Sequence, residues 1–250
     1  MKFQFHLLLM TILFFGGFQL NGSESLNQNL KLEEAFNSSV ILHITKEIPE
    51  EIPDVVDKRG RITKKGGVVY HQVEVMCSAN YITPNHLLTN RHCVERSVDI
   101  SAETADGEFR QAETIYISPK ADLALIYTKK ENDTWLQIAE TNPAVGEVSF
   151  AYGHPFGIAF TLTRGIVAKV SPSGNYLLLD QTVLPGNSGS ALLNTSGELI
   201  GVCNALFNSN PFVLSPSGLS GAVSASAVHE FLKIVGIEPD ERIFIRREEF

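Results

Sequence analysis

Short apolar runs that recur about every ten residues constrain the fold of this 250-residue chain more than any other feature. Gly, Pro, Asn and Asp, the residues that form turns, separate these runs. This spacing predicts an all-β barrel or sandwich rather than alternating strands and helices. The main runs are Val68–Val75, His86–Thr89, Leu123–Tyr127, Val148–Tyr152, Gly165–Val170, Tyr176–Leu179, Ser190–Leu193 and Leu199–Val202.

One helix is predicted near the C-terminus, between Ser224, which can cap it, and Gly236 behind it. Its apolar residues fall at helical spacing on one face: Val228, Phe231, Leu232 and Val235. Upstream, Val40–Ile44 is a predicted strand in an otherwise polar region. Glu47–Asp54 and Lys58–Arg61 are predicted loops because of their Pro, Gly and charge content.

Residues 1–25 are interpreted as a secretory signal peptide. Lys2 provides a basic start, and Leu7–Phe15 is almost wholly apolar but too short to span a bilayer. Ser23 and Ser25 are small residues at the alternate positions that suit cleavage, and an uncleaved N-terminal anchor is the alternative. We therefore expect a secreted or periplasmic protein that has no membrane contact after cleavage.

The formal charge of −8, with both signs mixed along the chain, argues against a nucleic-acid partner. Export makes a disulfide possible between two of the three cysteines, which are Cys77, Cys93 and Cys203. Cys203 lies in an apolar run and is interpreted as a buried strand residue. No Cys/His cluster has the spacing of metal ligands, so no metal site and no cofactor are predicted.

The stretch Pro185–Ser190 reads Pro-Gly-Asn-Ser-Gly-Ser and has the features of a nucleophile loop. A serine between glycines can expose its Oγ while neighbouring backbone N–H groups point at one spot. These are the nucleophile and the oxyanion donors that acyl transfer requires. By itself, the same stretch could be an ordinary turn.

His92 follows an apolar strand, and Asp122 opens another, so both are candidates for the base and its orienting carboxylate. A buried aspartate needs a hydrogen-bond partner, and an imidazole N–H can be that partner. The chain order His92, Asp122, Ser188 excludes an α/β-hydrolase, in which the serine comes first. The order is that of the chymotrypsin-type triad.

Four segments carry a family resemblance. Leu88–Val94 resembles the histidine motif of trypsin-like peptidases, and Asp122–Leu125 resembles their Asp-x-Ala-Leu motif. Ala151–Gly157, followed by Thr163–Val167, is similar to the run found in HtrA-like (Deg-type) members, and Pro185–Ser190 is similar to their nucleophile loop. The resemblance covers about residues 68–235.

This resemblance implies two packed antiparallel six-stranded β-barrels with a C-terminal helix. The N-terminal barrel is expected over residues 26–130 and the C-terminal barrel with the helix over 131–236, followed by a charged tail over 237–250. It also implies a disulfide between Cys77 and Cys93. His92, Asp122 and Ser188 would then be the catalytic triad of a serine endopeptidase, with polypeptides as substrates.

The resemblance further assigns the oxyanion donors to the backbone N–H groups of Gly186 and Ser188. It places Thr182 at the base of the specificity pocket, and Cys203 and Asn204 in the strand along the pocket wall. A neutral pocket base predicts small or medium uncharged side chains at P1, the residue before the scissile bond. Specificity for glutamate is not supported, because no histidine stands near Cys203.

One departure from the family limits what is carried over. HtrA-like members usually have a PDZ domain after the protease, whereas about fifteen residues follow the predicted helix here. Oligomeric assembly and regulation by peptides are therefore left open. The alternative function, from a different class, is a catalytically silent relative that binds polypeptides, although such relatives commonly lack a triad residue and this chain has all three.

Overall fold

The computed structural model describes residues 31–57, 59–204 and 219–238. The predicted signal peptide and residues 239–250 of the predicted tail lie outside the described residues. Residues 31–38 are helical (α1). The first strands are β1 (Ser39–Ile52), β2 (Val55–Val56), β3 (Ile62–Lys64), β4 (Gly67–Tyr81), β5 (His86–Thr89), β6 (Ser97–Thr104), β7 (Phe109–Ile117) and β8 (Ala124–Thr128), with helix α2 (Arg91–Val94) after β5.

The later elements are β9 (Val148–Gly153), the 3₁₀ turn Pro155–Gly157, β10 (Thr161–Val170), β11 (Tyr176–Asp180), β12 (Ala191–Leu193), β13 (Leu199–Asn204), β14 (Ser220–Ser224) and helix α3 (Ala225–Val235). Two closed antiparallel barrels result, in the strand orders β1-β4-β5-β8-β7-β6 and β10-β11-β14-β13-β12-β9. The predicted all-β fold of two six-stranded barrels with a C-terminal helix is confirmed.

Side chains point alternately inward and outward along the strands of the first barrel, and the inward ones fill its interior. In β1, Val40, Leu42 and Ile44 are fully buried, while His43 and Thr45, which follow Leu42 and Ile44, are partly exposed. This is the period of two that a strand with one inward face requires. The second barrel has its own apolar core: Ala151, Val167, Leu177, Leu179, Leu192, Ile200, Cys203 and Ala222.

A third apolar cluster joins the two barrels. It packs Leu88 and Leu125 of the first barrel against Ala191 and Val202 of the second, and Phe231 of α3 belongs to the same cluster. Helix α3 begins and ends as predicted: Ser224 Oγ accepts a hydrogen bond from the Ala227 N–H, and Gly236 is left-handed with φ 79°. The helix therefore closes the seam between the barrels.

The prediction of a loop over Glu47–Asp54 is wrong. Strand β1 continues to Ile52 and pairs with β4 as far as Gly67, with Pro49 opposite Tyr70. Beyond Lys46, β1 has no pairing with β6, so this part is an edge strand, where a proline can be tolerated. The result is a two-stranded arm that extends from the first barrel.

The predicted disulfide is confirmed. Cys77 at the inner end of β4 is bonded to Cys93 in α2, with the two Cα atoms 6.2 Å apart. Cys203 is unpaired and fully buried, and burial raises the pKa of its thiol to about 12. Among the described helices, none combines the length and apolar character needed to cross a bilayer.

A histidine that the sequence did not single out is buried just after β9. His154 has no exposed surface, and its Nδ1 accepts a hydrogen bond from the Phe160 N–H at 2.9 Å. Nδ1 is therefore unprotonated and Nε2 carries the hydrogen. Burial lowers the pKa of His154 to about 4, because the charged imidazolium loses its hydration there.

Protonation of His154 is expected to destabilise the protein in acid. The unfolded chain binds this proton near pH 6.5 and the folded chain only near pH 4, so the stability is complete above the unfolded value and falls as the pH drops between them. We expect the free energy of unfolding to fall by about 3 kcal/mol across this range. Chemical denaturation of wild type and His154→Asn at pH 7 and at pH 4 measures this change in unfolding free energy.

The variant isolates this effect because the asparagine Oδ1 can accept the same hydrogen bond but does not titrate. The difference in unfolding free energy between wild type and variant should change with pH in the stated direction. A difference that stays constant between pH 7 and pH 4 would contradict the prediction.

Candidate active site

Helix α2 and the segment before β8 bring His92 and Asp122 together. His92 Nδ1 lies 2.7 Å from Asp122 Oδ2, and the backbone N–H of His92 donates to Oδ1 at 3.0 Å. The side chain of Asn90 donates to the backbone carbonyl of Asp122 at 2.9 Å. The carboxylate therefore fixes both the position and the tautomer of the imidazole, and leaves Nε2 as the basic nitrogen.

The second barrel also contacts this carboxylate. Asn204 Nδ2 donates to Asp122 Oδ2 at 2.7 Å and to the Tyr176 hydroxyl at 3.0 Å. Burial alone would raise the pKa of Asp122, but its hydrogen bonds to His92 and the charge on that ring outweigh burial, so the pKa is lowered. Asp122 is thus ionised at neutral pH and can stabilise an imidazolium.

Ser188 lies in the turn between β11 and β12, and its backbone is held by the first barrel. Its carbonyl accepts a hydrogen bond from the Ser78 N–H at 2.8 Å. Cys93 Sγ lies 3.8 Å from both the Ser188 carbonyl oxygen and His92 Nε2, so the base and the nucleophile loop meet at the disulfide. No hydrogen bond between His92 Nε2 and Ser188 Oγ is present among the described residues, as is common in unliganded sites.

The conformation of the loop before Ser188 depends on Gly186. Gly186 has φ 99°, and a Cβ there would lie 2.2 Å from the His154 carbonyl oxygen, so only glycine fits. The Pro185 carbonyl accepts from the Phe156 N–H at 2.7 Å. Because the peptide is trans, the Gly186 N–H points the opposite way from the Pro185 carbonyl and therefore away from Phe156.

The Gly186 carbonyl is also held in place, by Ser78 Oγ at 2.8 Å. Within the described part of the chain, no hydrogen bond uses the N–H of Gly186 or of Ser188. Both donors are therefore available for a ligand oxygen. Ser78 and Phe156, which hold this loop, were missed in the sequence because their contacts are long-range and partly through the backbone.

The three residues predicted to bind substrate differ in position. Thr182 is exposed just after β11. Cys203 is fully buried in the core of the second barrel, so only its backbone could contact a ligand. The side chain of Asn204 is directed at Asp122, a role that sequence reasoning did not assign to it. Residues 205–218, which follow Asn204, lie outside the described residues.

Together these groups can carry out nucleophilic acyl transfer. An ionised carboxylate orients a histidine, a serine lies on the facing loop, and two backbone donors are available beside it. The histidine and aspartate come from one barrel and the serine from the other. The site therefore requires the barrels to be packed together.

Curated proteins are similar to this chain in sequence. A probable serine protease do-like of Buchnera aphidicola is 31% identical over 175 residues, which are 66% of this chain and 33% of that protein. The periplasmic serine endoprotease DegP of Escherichia coli is 34% identical over 142 residues, which are 53% of this chain and 28% of DegP. The matched region therefore spans about a third of these relatives or less.

Solved structures show the same fold. The HtrA-type protease AlgW with a tripeptide has a TM-score of 0.64 at 22% identity, covering 83% of this chain and 63% of that one. A serine endoprotease from Yersinia pestis has a TM-score of 0.63 at 21% identity, covering 83% of this chain and 66% of that one.

The family model of the trypsin-like peptidase domain matches residues 77–202, which contain His92, Asp122 and Ser188. The chain belongs to the trypsin-like peptidase domain family.

Proposed function

We propose that this protein is a secreted or periplasmic serine endopeptidase that works through His92, Asp122 and Ser188. The observation that carries the proposal is the pairing of His92 with a half-buried, ionised Asp122, together with a serine loop whose two backbone donors are available. The relatives are named as periplasmic serine endoproteases, which supports export and polypeptide substrates.

In the proposed mechanism, His92 Nε2 removes the proton from Ser188 Oγ as the oxygen attacks the scissile carbonyl. The carbonyl oxygen becomes an oxyanion, which the N–H groups of Gly186 and Ser188 stabilise. His92 then gives the proton to the leaving amine, and an acyl-enzyme forms. Water, deprotonated by His92, releases the second product, and Asp122 stabilises the imidazolium in both steps. No cofactor takes part.

Loss of the nucleophile is the first test. Ser188→Ala removes only Oγ, so we expect casein hydrolysis to fall by roughly 1,000-fold or more while the fold is retained. Ser196→Ala, in an exposed turn after β12, is the matched control and should keep wild-type activity. If Ser188→Ala cleaved casein as fast as wild type, the protein would act through another residue. If wild type cleaved nothing, the protein would instead be a catalytically silent binder.

Primary specificity is expected to favour small or medium uncharged side chains, because Thr182 offers no charge to pair a buried Lys or Arg. Cleavage-site profiling with a peptide library measures it. Thr182→Asp should shift the profile towards Lys and Arg, whereas Asp180→Asn should leave it unchanged. A wild-type preference for Arg or Lys that Asp180→Asn abolishes would show that Asp180 lines the pocket instead.

We also expect activity without proteolytic activation of the trypsinogen kind. That mechanism requires an aspartate before the serine to pair a new α-ammonium, and here the residue is Asn187, whose side chain is neutral. The Asn187 N–H donates to the Leu184 carbonyl, so backbone contacts hold the turn. Ile62, after the basic Arg61, is exposed in β3, which pairs with β2.

Protein that begins at Leu26 with extra residues at its N-terminus should therefore hydrolyse a peptide substrate at once. The measurement is the initial rate before and after limited cleavage at Arg61, with Arg61→Gln as the uncleavable control. Equal rates are expected for all three samples. A rate that appears only after cleavage, and never in Arg61→Gln, would overturn the prediction.

A further inference from the structure

Three potential metal ligands, one of them the proposed catalytic base His92, lie close together in the fold. The sulfurs of Cys77 and Cys93 and a ring nitrogen of His92 all lie within 4.8 Å of one another. The spacing of these residues in the sequence did not predict this cluster. Cys77 lies at the inner end of β4, and only the folded chain brings it next to His92 and Cys93 in α2. In the oxidised protein both sulfurs are consumed by the disulfide.

We propose that reduction of this disulfide creates a zinc site formed by Cys77 Sγ, Cys93 Sγ and His92 Nε2, and that zinc bound there withdraws the base from the triad. Two thiolates and one histidine, with water in the fourth position, form a known type of zinc coordination. The inference about binding does not depend on the proposed peptidase activity.

The geometry is close to what zinc requires. Tetrahedral zinc with the usual Zn–S and Zn–N bond lengths places a sulfur and a nitrogen about 3.5 Å apart, and two sulfurs about 3.8 Å apart. Cys93 Sγ and His92 Nε2 are already 3.8 Å apart. After reduction the two sulfurs must separate, and Cys77 Sγ, which lies within 4.8 Å of a His92 ring nitrogen, must reach bonding distance of the same ion. Breaking the S–S bond frees both sulfurs to do so.

The surroundings of the histidine also suit a metal. A zinc-bound histidine almost always donates its other ring N–H to a carboxylate or carbonyl, which fixes the ring. Here Nδ1 is 2.7 Å from Asp122 Oδ2, so the contact that serves the triad would serve a metal equally well. Nε2 is then the unprotonated nitrogen that a metal needs.

Charge and access support the site as well. Two thiolates balance the two charges of Zn²⁺, so the bound cluster is neutral, which reduces the cost of burying it. Cys93 is fully buried and Cys77 is 6% exposed, whereas the His92 side chain is 22% exposed. Zinc can therefore enter from the His92 side of the cluster.

The chemistry balances with a phosphine as the reductant. The S–S bond breaks and two thiols form, while the phosphine takes the oxygen of one water molecule to become a phosphine oxide. The two hydrogens of that water end on the thiols. Binding of Zn²⁺ then displaces two protons from the thiols, and no further electron transfer occurs.

Cobalt is the spectroscopic probe, because Co²⁺ in a tetrahedral thiolate site gives a strong thiolate charge-transfer band. We expect the full chain to bind one equivalent of Co²⁺ with this band after phosphine reduction, and to show no band when oxidised. Zinc should displace the cobalt. Cys203→Ala should keep the band, which excludes the third cysteine as its source.

Variants of the ligands decide the proposal. Cys77→Ser and Cys93→Ser should lose most of the band, His92→Gln should weaken binding, and Asp122→Asn should weaken it about 10- to 100-fold. Reduced wild type without a thiolate band would overturn the proposal. So would a band of undiminished affinity in His92→Gln, since binding would then not involve the base.

Reduction could unfold the chain, and near-ultraviolet circular dichroism detects this. In that case zinc should restore the folded signal of reduced wild type but not of Cys93→Ser, and failure to restore it in wild type would overturn the proposal. Peptide hydrolysis gives a separate readout. Equimolar zinc should inhibit the reduced enzyme, reversibly on chelation, and should leave the oxidised enzyme unchanged.

Discussion

The active site depends on hydrogen bonds between strand β4 of the first barrel and the nucleophile loop of the second. Ser78 donates from its backbone N–H to the Ser188 carbonyl and from its Oγ to the Gly186 carbonyl. Asn80 Nδ2 donates to the Gly189 carbonyl at 3.0 Å. These buried carbonyls would be costly without partners, so the loop has one favourable arrangement against β4.

Strand β4 also positions His92, the proposed base. Cys93 is bonded to Cys77, which immediately precedes Ser78 in β4, and so α2 is tied to the strand that holds the nucleophile loop. Asn204 reaches Asp122 from the second barrel. Asp122 and Ser188 are thus each held by a contact from the opposite barrel, whereas His92 is held within the first barrel by Asp122. The apolar cluster between the barrels supplies the packing that keeps these contacts formed.

The sequence was sufficient for groups whose role follows from their own chemistry. Ser188 between glycines, His92 after a strand and Asp122 before an apolar run could be proposed as a triad because acyl transfer needs those residue types in some order, and the structure brings His92 and Asp122 into contact. The caps of α3 could be identified because Ser224 and Gly236 act on neighbouring backbone. All of these signals are local.

Interactions that depend on strand pairing could not be predicted in the same way. The arm was predicted as a loop because Pro49 and the surrounding glutamates favour loops locally, whereas its strand is set by pairing with β4. Strand β6 was missed for a different reason. Ser97–Thr104 alternates polar and apolar residues, which is the local pattern of a half-buried strand, but it contains no continuous apolar run.

The disulfide shows how one local feature can have two consequences. In the oxidised protein it stiffens the turn that carries His92, and its sulfur separates the base from the backbone of Ser188. The features that suit His92 to the proposed role of base are an anchored ring, a carboxylate on Nδ1 and an unprotonated Nε2. They are also the features of a metal-binding histidine. Under the two proposals made above, the bond between the two sulfurs therefore reserves this nitrogen for proton transfer.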